Sequence, residues 1–190
     1  MKNLFKNKYL IGTIISLVFA SILIVLIRKK MGDESDGISI IIGDSQTPLI
    51  ASQSKKAKLL GSVGSEENLW KGGMGLSWLK QAVDNYPSIN KDIKNIFINI
   101  GTNGGFNPKD NADGLIDSLK SKFPKAKLFM VQGSWGWGNN KDITTDRVKN
   151  YYDKFSDTKI IDPPIGSVSN PHINLPIYKE IGKEIDNQIK

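Results

Sequence analysis

Apolar residues occur in two patterns along the chain, as one long run near the N-terminus and as short runs separated by polar loops. The long run covers residues 9–27, a stretch of 19 residues without a charged side chain. A helix of roughly 20 apolar residues spans the hydrocarbon core of a bilayer. The pattern therefore predicts a transmembrane helix within an N-terminal membrane anchor, residues 1–30, which a polar linker at 31–37 joins to the rest of the chain.

A cleaved signal peptide is the alternative for this segment. Its apolar core is usually about 7–15 residues long and ends at a small-residue cleavage site, whereas this run is longer and is followed by Arg28-Lys29-Lys30. We therefore predict an uncleaved signal anchor in a single-pass membrane protein that contacts membrane lipid. Acidic residues after the run favour an extracytoplasmic domain, with a viral envelope or virion membrane as the alternative location.

The short apolar runs and the helical patterns alternate through the rest of the chain. Strands are predicted at 38–42, 57–60, 95–100, 127–131 and 159–161. Helices are predicted at 76–86, 108–123, 142–155 and 175–189. This alternation is typical of a mostly parallel sheet with helices on both faces. We therefore expect residues 38–190 to form one α/β domain, a three-layer α/β/α arrangement around a five-stranded sheet.

Charge and composition exclude several classes of function. The formal net charge is +7, but residues 1–30 carry six basic and no acidic side chains, which leaves 20 basic and 19 acidic ones in the rest. The predicted domain therefore lacks the basic surface that nucleic-acid binding needs, and no nucleic-acid partner is expected. The chain has no cysteine and one histidine, so we predict no metal site and no other cofactor.

Side chains suited to acyl transfer follow three of the predicted strands. Ser45 lies after the first strand, Asn103 after the third and His172 after the fifth. Parallel strands end at one edge of the sheet, where such sheets bind ligands. A serine hydroxyl needs a base within hydrogen-bond reach, a histidine suits that role near neutral pH, and an asparagine amide can stabilise an oxyanion. His172 is the only histidine available.

The order of these residues resembles the SGNH-hydrolase (GDSL-like) family over nearly all of residues 38–188. Four sequence blocks carry the resemblance: Gly43-Asp44-Ser45, Lys71-Gly72-Gly73-Met74-Gly75-Leu76-Ser77, Gly101-Thr102-Asn103, and His172 followed by Tyr178 and Ile181-Gly182. The resemblance implies the flavodoxin-like SGNH fold. It also implies Ser45 as nucleophile, His172 as base, and an oxyanion hole made by the N–H of Ser45, the N–H of Gly75 (or of Gly73) and the side chain of Asn103.

Three positions depart from the family pattern. Ser169 stands where the family usually has an aspartate three residues before the histidine, Gly104 replaces an acid, and Ile177 replaces a glycine. An aspartate normally fixes the tautomer of the histidine and stabilises its charged form. Asp162, ten residues before His172, is the candidate for that role, with a backbone carbonyl as the alternative.

Each motif also has a purely structural interpretation. Asp-Ser often forms a turn or a helix cap, glycines permit turns with positive φ, and an asparagine can cap a loop. Trp135 and Trp137 follow the fourth strand, where they are predicted either to line a substrate cleft or to pack a glycine-rich loop.

The sequence therefore supports two functional hypotheses. The first is a membrane-anchored serine esterase that removes an acyl or O-acetyl group from a small molecule, a glycan or a lipid. The second is a catalytically weak or inactive SGNH-like domain that serves as a binding or structural module on a membrane or virion, and it is motivated by the missing aspartate.

Overall fold

The computed structural model describes residues 37–190 except 63, 91, 108, 136–142, 156–157, 162–169 and 174. Five strands are formed: β1 (Ile38–Gly43), β2 (Ala57–Leu59), β3 (Ile93–Asn99), β4 (Lys127–Val131) and β5 (Lys159–Ile161). The α-helices are α1 (Thr47–Ala51), α2 (Leu76–Asp84), α3 (Ala112–Lys122), α4 (Thr145–Tyr152) and α5 (Leu175–Gln188). Short 3₁₀ turns lie at Thr102–Gly104 and Pro171–Ile173.

The five strands form one sheet in the order β2-β1-β3-β4-β5, and every neighbouring pair is parallel. The prediction of an α/β domain with a parallel sheet is confirmed. This order reverses direction between β1 and β3, so the loops that follow these two strands diverge and leave a crevice at the carboxyl edge of the sheet. Ser45 follows β1 and Asn103 follows β3, so both lie at this crevice.

The strands are buried on both faces, which explains why they are continuous apolar runs rather than alternating ones. Ile40 and Ile42 belong to the larger core, together with side chains of α2, α3 and α4. Ile41 between them faces the opposite way, into a second core shared with α1 and α5. Successive side chains of a strand point to opposite faces, so one sheet separates two helical layers.

Several predicted boundaries differ from those in the structure, and the short helix α1 was not predicted. The helix expected from residue 108 begins at Ala112, because the side chain of Asn111 accepts a hydrogen bond from the N–H of Gly114 and caps it there. The strand expected at 95–100 runs from Ile93 to Asn99. Helix α1 was missed because a helix of five residues is too short to show an apolar period.

The predicted transmembrane helix at 9–27 lies outside the described residues, and so does almost all of the predicted linker. Among the residues from 37 onward that the structure describes, no helix is both long enough and apolar enough to span a bilayer.

Candidate functional site

Ser45 occupies a tight turn between strand β1 and helix α1. Gly43 ends the strand with φ +138, a conformation that favours glycine, and a Cβ at this position would collide with the carbonyl oxygen of Asn99 on β3. The N–H of Asp44 donates to that same oxygen at 3.0 Å. The close contact between β1 and β3 therefore requires the glycine, and it fixes where the following serine emerges from the sheet.

Ser45 and His172 lie side by side although 127 residues separate them. The distance between Ser45 Oγ and His172 Nε2 is 2.9 Å, which is hydrogen-bond range. His172 belongs to the 3₁₀ turn before α5, and its backbone N–H donates to Oδ1 of Asn170 at 3.0 Å. The turn thus directs the imidazole toward the hydroxyl, which is the arrangement of a nucleophile and its base.

The glycine block, residues 71–77, lies close to Ser45 because the segment before it runs alongside β1. The N–H of Gly43 donates to Leu69 and the N–H of Lys71 donates to Gly43, as in a short extension of the sheet. A Cβ at Gly72 would lie 3.6 Å from the Cβ of Ser45. Gly75 follows as the N-cap of α2, and a Cβ there would lie 4.0 Å from the backbone nitrogen of Gly104.

Asn103 is linked to the same glycine block. Its Nδ2 donates to the carbonyl oxygen of Met74 at 3.1 Å. A carboxamide nitrogen carries two hydrogens, so one N–H holds the loop and the other can serve an oxyanion. Among the described residues, the backbone N–H groups of Ser45 and Gly75 donate no hydrogen bond. The predicted oxyanion donors are therefore close to one another, with hydrogens still available.

The side chain of Gln46, the residue after Ser45, is hydrogen-bonded to two other loops and to helix α5. Its Nε2 donates to the carbonyl oxygen of Ser134 at 2.7 Å and to Oγ1 of Thr102 at 3.2 Å, while its Oε1 accepts from the hydroxyl of Tyr178 at 3.3 Å. Thr102 precedes Asn103, and Tyr178 lies on the helix that follows His172. A single buried amide therefore connects the segments that carry Ser45, Asn103 and His172.

Asp44, the residue before Ser45, is fully buried. Its Oδ1 accepts from the N–H of Gln46 at 3.0 Å, whereas its Oδ2 has no hydrogen-bond partner among the described residues. Burial raises the pKa of this carboxyl to about 7, and the hydrogen bond from Gln46 opposes the shift. Oγ1 of Thr47 and Oδ1 of Asn99 are also buried without a partner in the described part of the chain.

Asp44 and Gln46 were not expected from the sequence to contribute to the site. The only signal was their polarity in a short loop beside a candidate nucleophile. Trp135 lies in the larger core and is 5% exposed, which favours the packing alternative over a place in a substrate cleft. Trp137, Asp162 and Ser169 lie outside the described residues. Gly73 has φ +75, and no atom outside its chain neighbours lies within 4 Å of a Cβ built there.

The groups that the structure brings together here are those that acyl transfer requires. The described residues contain no group of three or more histidine, cysteine or carboxylate side chains that could hold a metal ion. The residues present supply a hydroxyl, an imidazole and fixed N–H donors at one edge of the sheet. These are the groups needed to attack a carbonyl carbon and to stabilise the negative charge that develops on its oxygen.

No protein-family model matches the chain, and no curated protein matches it in sequence. Among solved structures, the chain is similar to one described as an acetyl xylan esterase (Est2A) from the rumen bacterium Butyrivibrio proteoclasticus, with 14% sequence identity and a TM-score of 0.38. The similarity covers 80% of this chain and 63% of that chain, so this chain spans less than two thirds of its length. A likeness of this strength identifies neither family nor activity, and the function has to be inferred from the site itself.

Proposed function

We propose that the chain is a serine ester hydrolase of the SGNH type. The observation that carries the proposal is the 2.9 Å contact between Ser45 Oγ and His172 Nε2 at the carboxyl edge of the sheet. The flavodoxin-like strand order supports it, because ligands of such sheets bind at the crevice between β1 and β3. The adjacent loop with Asn103 supports it further, since an oxyanion needs donors fixed in advance.

In the proposed reaction, Ser45 Oγ attacks the carbonyl carbon of an ester and passes its proton to Nε2 of His172. The N–H of Ser45, the N–H of Gly75 and the amide of Asn103 stabilise the resulting oxyanion. Collapse of the tetrahedral intermediate breaks the ester bond, and the protonated imidazole gives its proton to the leaving alcohol. Water then attacks the acyl-serine with the same base, which releases the acid and restores Ser45.

The group that orients His172 is part of the proposal. Ser169 cannot supply the carboxylate that usually fixes the histidine tautomer in this family, so we assign that role to Asp162 or to a backbone carbonyl. An Asp162→Asn variant separates the two. A strong fall in kcat identifies the carboxylate, and an unchanged kcat identifies the carbonyl.

We further propose that residues 9–27 anchor this hydrolase to a membrane with the domain on the extracytoplasmic side. The uncharged run of 19 residues supports the anchor, and the acidic residues that follow it, Asp33, Glu34 and Asp36, favour this orientation. Membrane fractions washed with alkaline carbonate should retain the full chain. Release of the chain into the wash would contradict an anchor.

The experiment that tests the activity is hydrolysis of p-nitrophenyl acetate by the full chain in detergent micelles. We expect Ser45→Ala and His172→Ala each to lower kcat by at least roughly a thousandfold, because the two residues act as a unit. Ser121→Ala changes an exposed serine on α3 and serves as the matched control with unchanged activity. Equal activity in the wild type and in Ser45→Ala would refute the mechanism.

A second candidate function is a non-catalytic binding module, and the serine at position 169 favours it. A fluorophosphonate probe distinguishes the two candidates, since it labels only an activated serine. Rapid stoichiometric labelling of Ser45 would exclude the binding module. Absence of labelling in a folded chain, verified by circular dichroism, would favour it.

A further inference from the structure

The peptide group between Met74 and Gly75 presents its carbonyl oxygen, and not its N–H, to Asn103. Nδ2 of Asn103 donates to the carbonyl oxygen of Met74 at 3.1 Å. The nitrogen of this amide has to face Met74, because a carbonyl oxygen only accepts hydrogen bonds. No described peptide bond is cis, and the C=O and N–H of a planar trans peptide point in opposite directions. The N–H of Gly75 therefore points away from Asn103.

This orientation prevents two of the proposed oxyanion donors from acting together. A donor has to lie about 2.7–3.1 Å from the charged oxygen. An oxygen that accepts from the N–H of Gly75 lies across the peptide group from Asn103, so Nδ2 cannot reach it. An oxygen beside Nδ2 instead lies near the carbonyl of Met74, whose negative end repels it. In this arrangement the donors of Gly75 and Asn103 cannot converge on one oxygen.

Rotation of this single peptide group would bring the two donors together. Because the group is a rigid plane, turning it over changes ψ of Met74 and φ of Gly75 by roughly 180° each. The φ of Gly75 would move from −102 to about +80 while its ψ stays at −172, a combination essentially restricted to glycine. The carbonyl of Gly75, which accepts from the N–H of Leu79 at 3.2 Å at the start of α2, belongs to the next peptide and is left in place.

Little in the described part of the chain opposes the rotation. The N–H of Gly75 donates no hydrogen bond there, so the bond from the exposed side chain of Asn103 is the one that breaks. A Cβ built at Gly75 comes no nearer than 4.0 Å to any atom outside its chain neighbours. A substrate carbonyl oxygen beside Asn103 is repelled in one orientation of the peptide and bound in the other. It therefore favours the rotated state, as a ligand with differential affinity does.

We propose that the structure shows the resting form of the site, and that the Met74–Gly75 peptide turns over when an ester carbonyl binds beside Asn103. The rotation completes the oxyanion hole. The inference rests on the proposed hydrolase function and adds a conformational step that limits its activity until substrate is present. It also gives Gly75 a role that its N–H alone does not explain, since every residue except proline has an N–H.

The test is Gly75→Ala in the full chain in detergent micelles, with p-nitrophenyl acetate as substrate. Alanine keeps the N–H and fits the resting φ of −102, but it cannot follow the rotation. We expect kcat to fall at least roughly a hundredfold, the usual effect of losing one oxyanion donor, with KM within about twofold. The midpoint of urea unfolding should stay the same or rise, because alanine restricts the unfolded chain. Gln81→Ala, at an exposed position on α2, is the control and should match the wild type in kcat, KM and midpoint.

The other outcomes separate the rotation from the hydrolase itself. If Gly75→Ala kept its kcat within about twofold, the rotation would be overturned while the hydrolase stood. A rise in KM with unchanged kcat would also overturn it, because the added methyl group would then only obstruct substrate.

If the wild type does not cleave the ester, the hydrolase fails and the rotation is judged by ¹⁵N relaxation dispersion at the amide of residue 75, which detects motion on the μs–ms timescale. Exchange in the wild type that Gly75→Ala abolishes would support two orientations of the peptide. A flat dispersion profile in the wild type would overturn them.

Discussion

Ser45 and His172 lie 2.9 Å apart, yet the structure holds them in different ways. The residues on both sides of Ser45, Asp44 and Gln46, are almost completely buried and are hydrogen-bonded within the core. His172 lies in a half-buried surface turn, and the next residue, Ile173, is 69% exposed. Ser45 is thus positioned by the core and His172 by a peripheral turn. Changes around Ser45 should therefore alter stability and activity together, whereas changes around His172 should alter activity alone.

The largest effect on the free energy of unfolding is expected from the buried carboxyl of Asp44, beside Ser45. The pKa of Asp44 rises from 3.8 to about 7 on folding. Between these two values the folded chain binds a proton that the unfolded chain releases, so the contribution of Asp44 to stability falls as pH rises from about 4 to 7. The full shift corresponds to an upper bound of about 4 kcal/mol. Asp44→Asn, which stays neutral, should remove this dependence in urea unfolding.

The difference between the wild type and Asp44→Asn is the informative quantity, because other groups titrate equally in both chains. Relative to the wild type, Asp44→Asn should gain stability as the pH rises from about 4 to 7, and the difference should level off above 7. Asp117→Asn, at an exposed position on α3, should follow the wild type at every pH. If the difference in free energy of unfolding between the two chains stayed constant from pH 4 to 8, the carboxyl of Asp44 would ionise without destabilising the fold. The comparison between the Ser45 turn and the His172 turn would then have no electrostatic support.

The next largest effect on stability is expected from Gln46, whose side-chain amide connects the loops around Ser45. Gln46→Leu keeps a similar volume but leaves the buried carbonyl of Ser134 without its donor, which should lower the free energy of unfolding by about 1–3 kcal/mol. It also releases Thr102 beside the proposed oxyanion donor, so kcat should fall roughly 10- to 100-fold. Urea unfolding and p-nitrophenyl acetate hydrolysis measure the two effects.

Gln81→Leu on the exposed face of α2 is the control for adding an apolar side chain, and it should leave both quantities close to the wild type. If Gln46→Leu lowered stability but not kcat, the amide would hold the loops without positioning the reacting groups. That result would separate the stability of the nucleophile turn from its catalytic role.

The elements that were predicted well are those defined by local patterns. Strands β4 and β5 have the bounds expected, 127–131 and 159–161, because each is an apolar run between polar residues. The start of α3 was misplaced because the cap at Asn111 decides it, and a cap depends on side-chain geometry rather than on apolar spacing.

The same distinction, between local sequence patterns and side-chain geometry, applies to the candidate site. Ser45 and Asn103 were expected at the same edge of the sheet because parallel strands all end at one edge. The partners of Gln46 were not foreseeable, since they come from three segments, and their pairing depends on side-chain directions that no periodicity encodes. The hydrogen bonds that hold the segment of Ser45 in the core are therefore the part of the site that could not be predicted from the sequence.

The smallest effect on stability is expected at the histidine turn. Asn170→Ala removes the side-chain oxygen that accepts the N–H of His172, so the turn loses its main described restraint. We expect kcat to fall roughly tenfold because the imidazole is less well aligned with Ser45, while the free energy of unfolding changes by about 0.5 kcal/mol or less, as is usual at a surface position. Hydrolysis rates and urea unfolding of the same preparations measure both.

Asn170→Asp provides the matched control, because its carboxylate keeps an oxygen at the position that accepts the N–H of His172. This variant should retain most of the wild-type kcat, which would attribute the loss in Asn170→Ala to the hydrogen bond rather than to the change of residue. A loss of stability in Asn170→Ala as large as that in Gln46→Leu would mean that the turn is as firmly integrated into the core as the nucleophile. The base and the nucleophile would then be held by one cooperative unit, and the difference between the two regions would be one of exposure only.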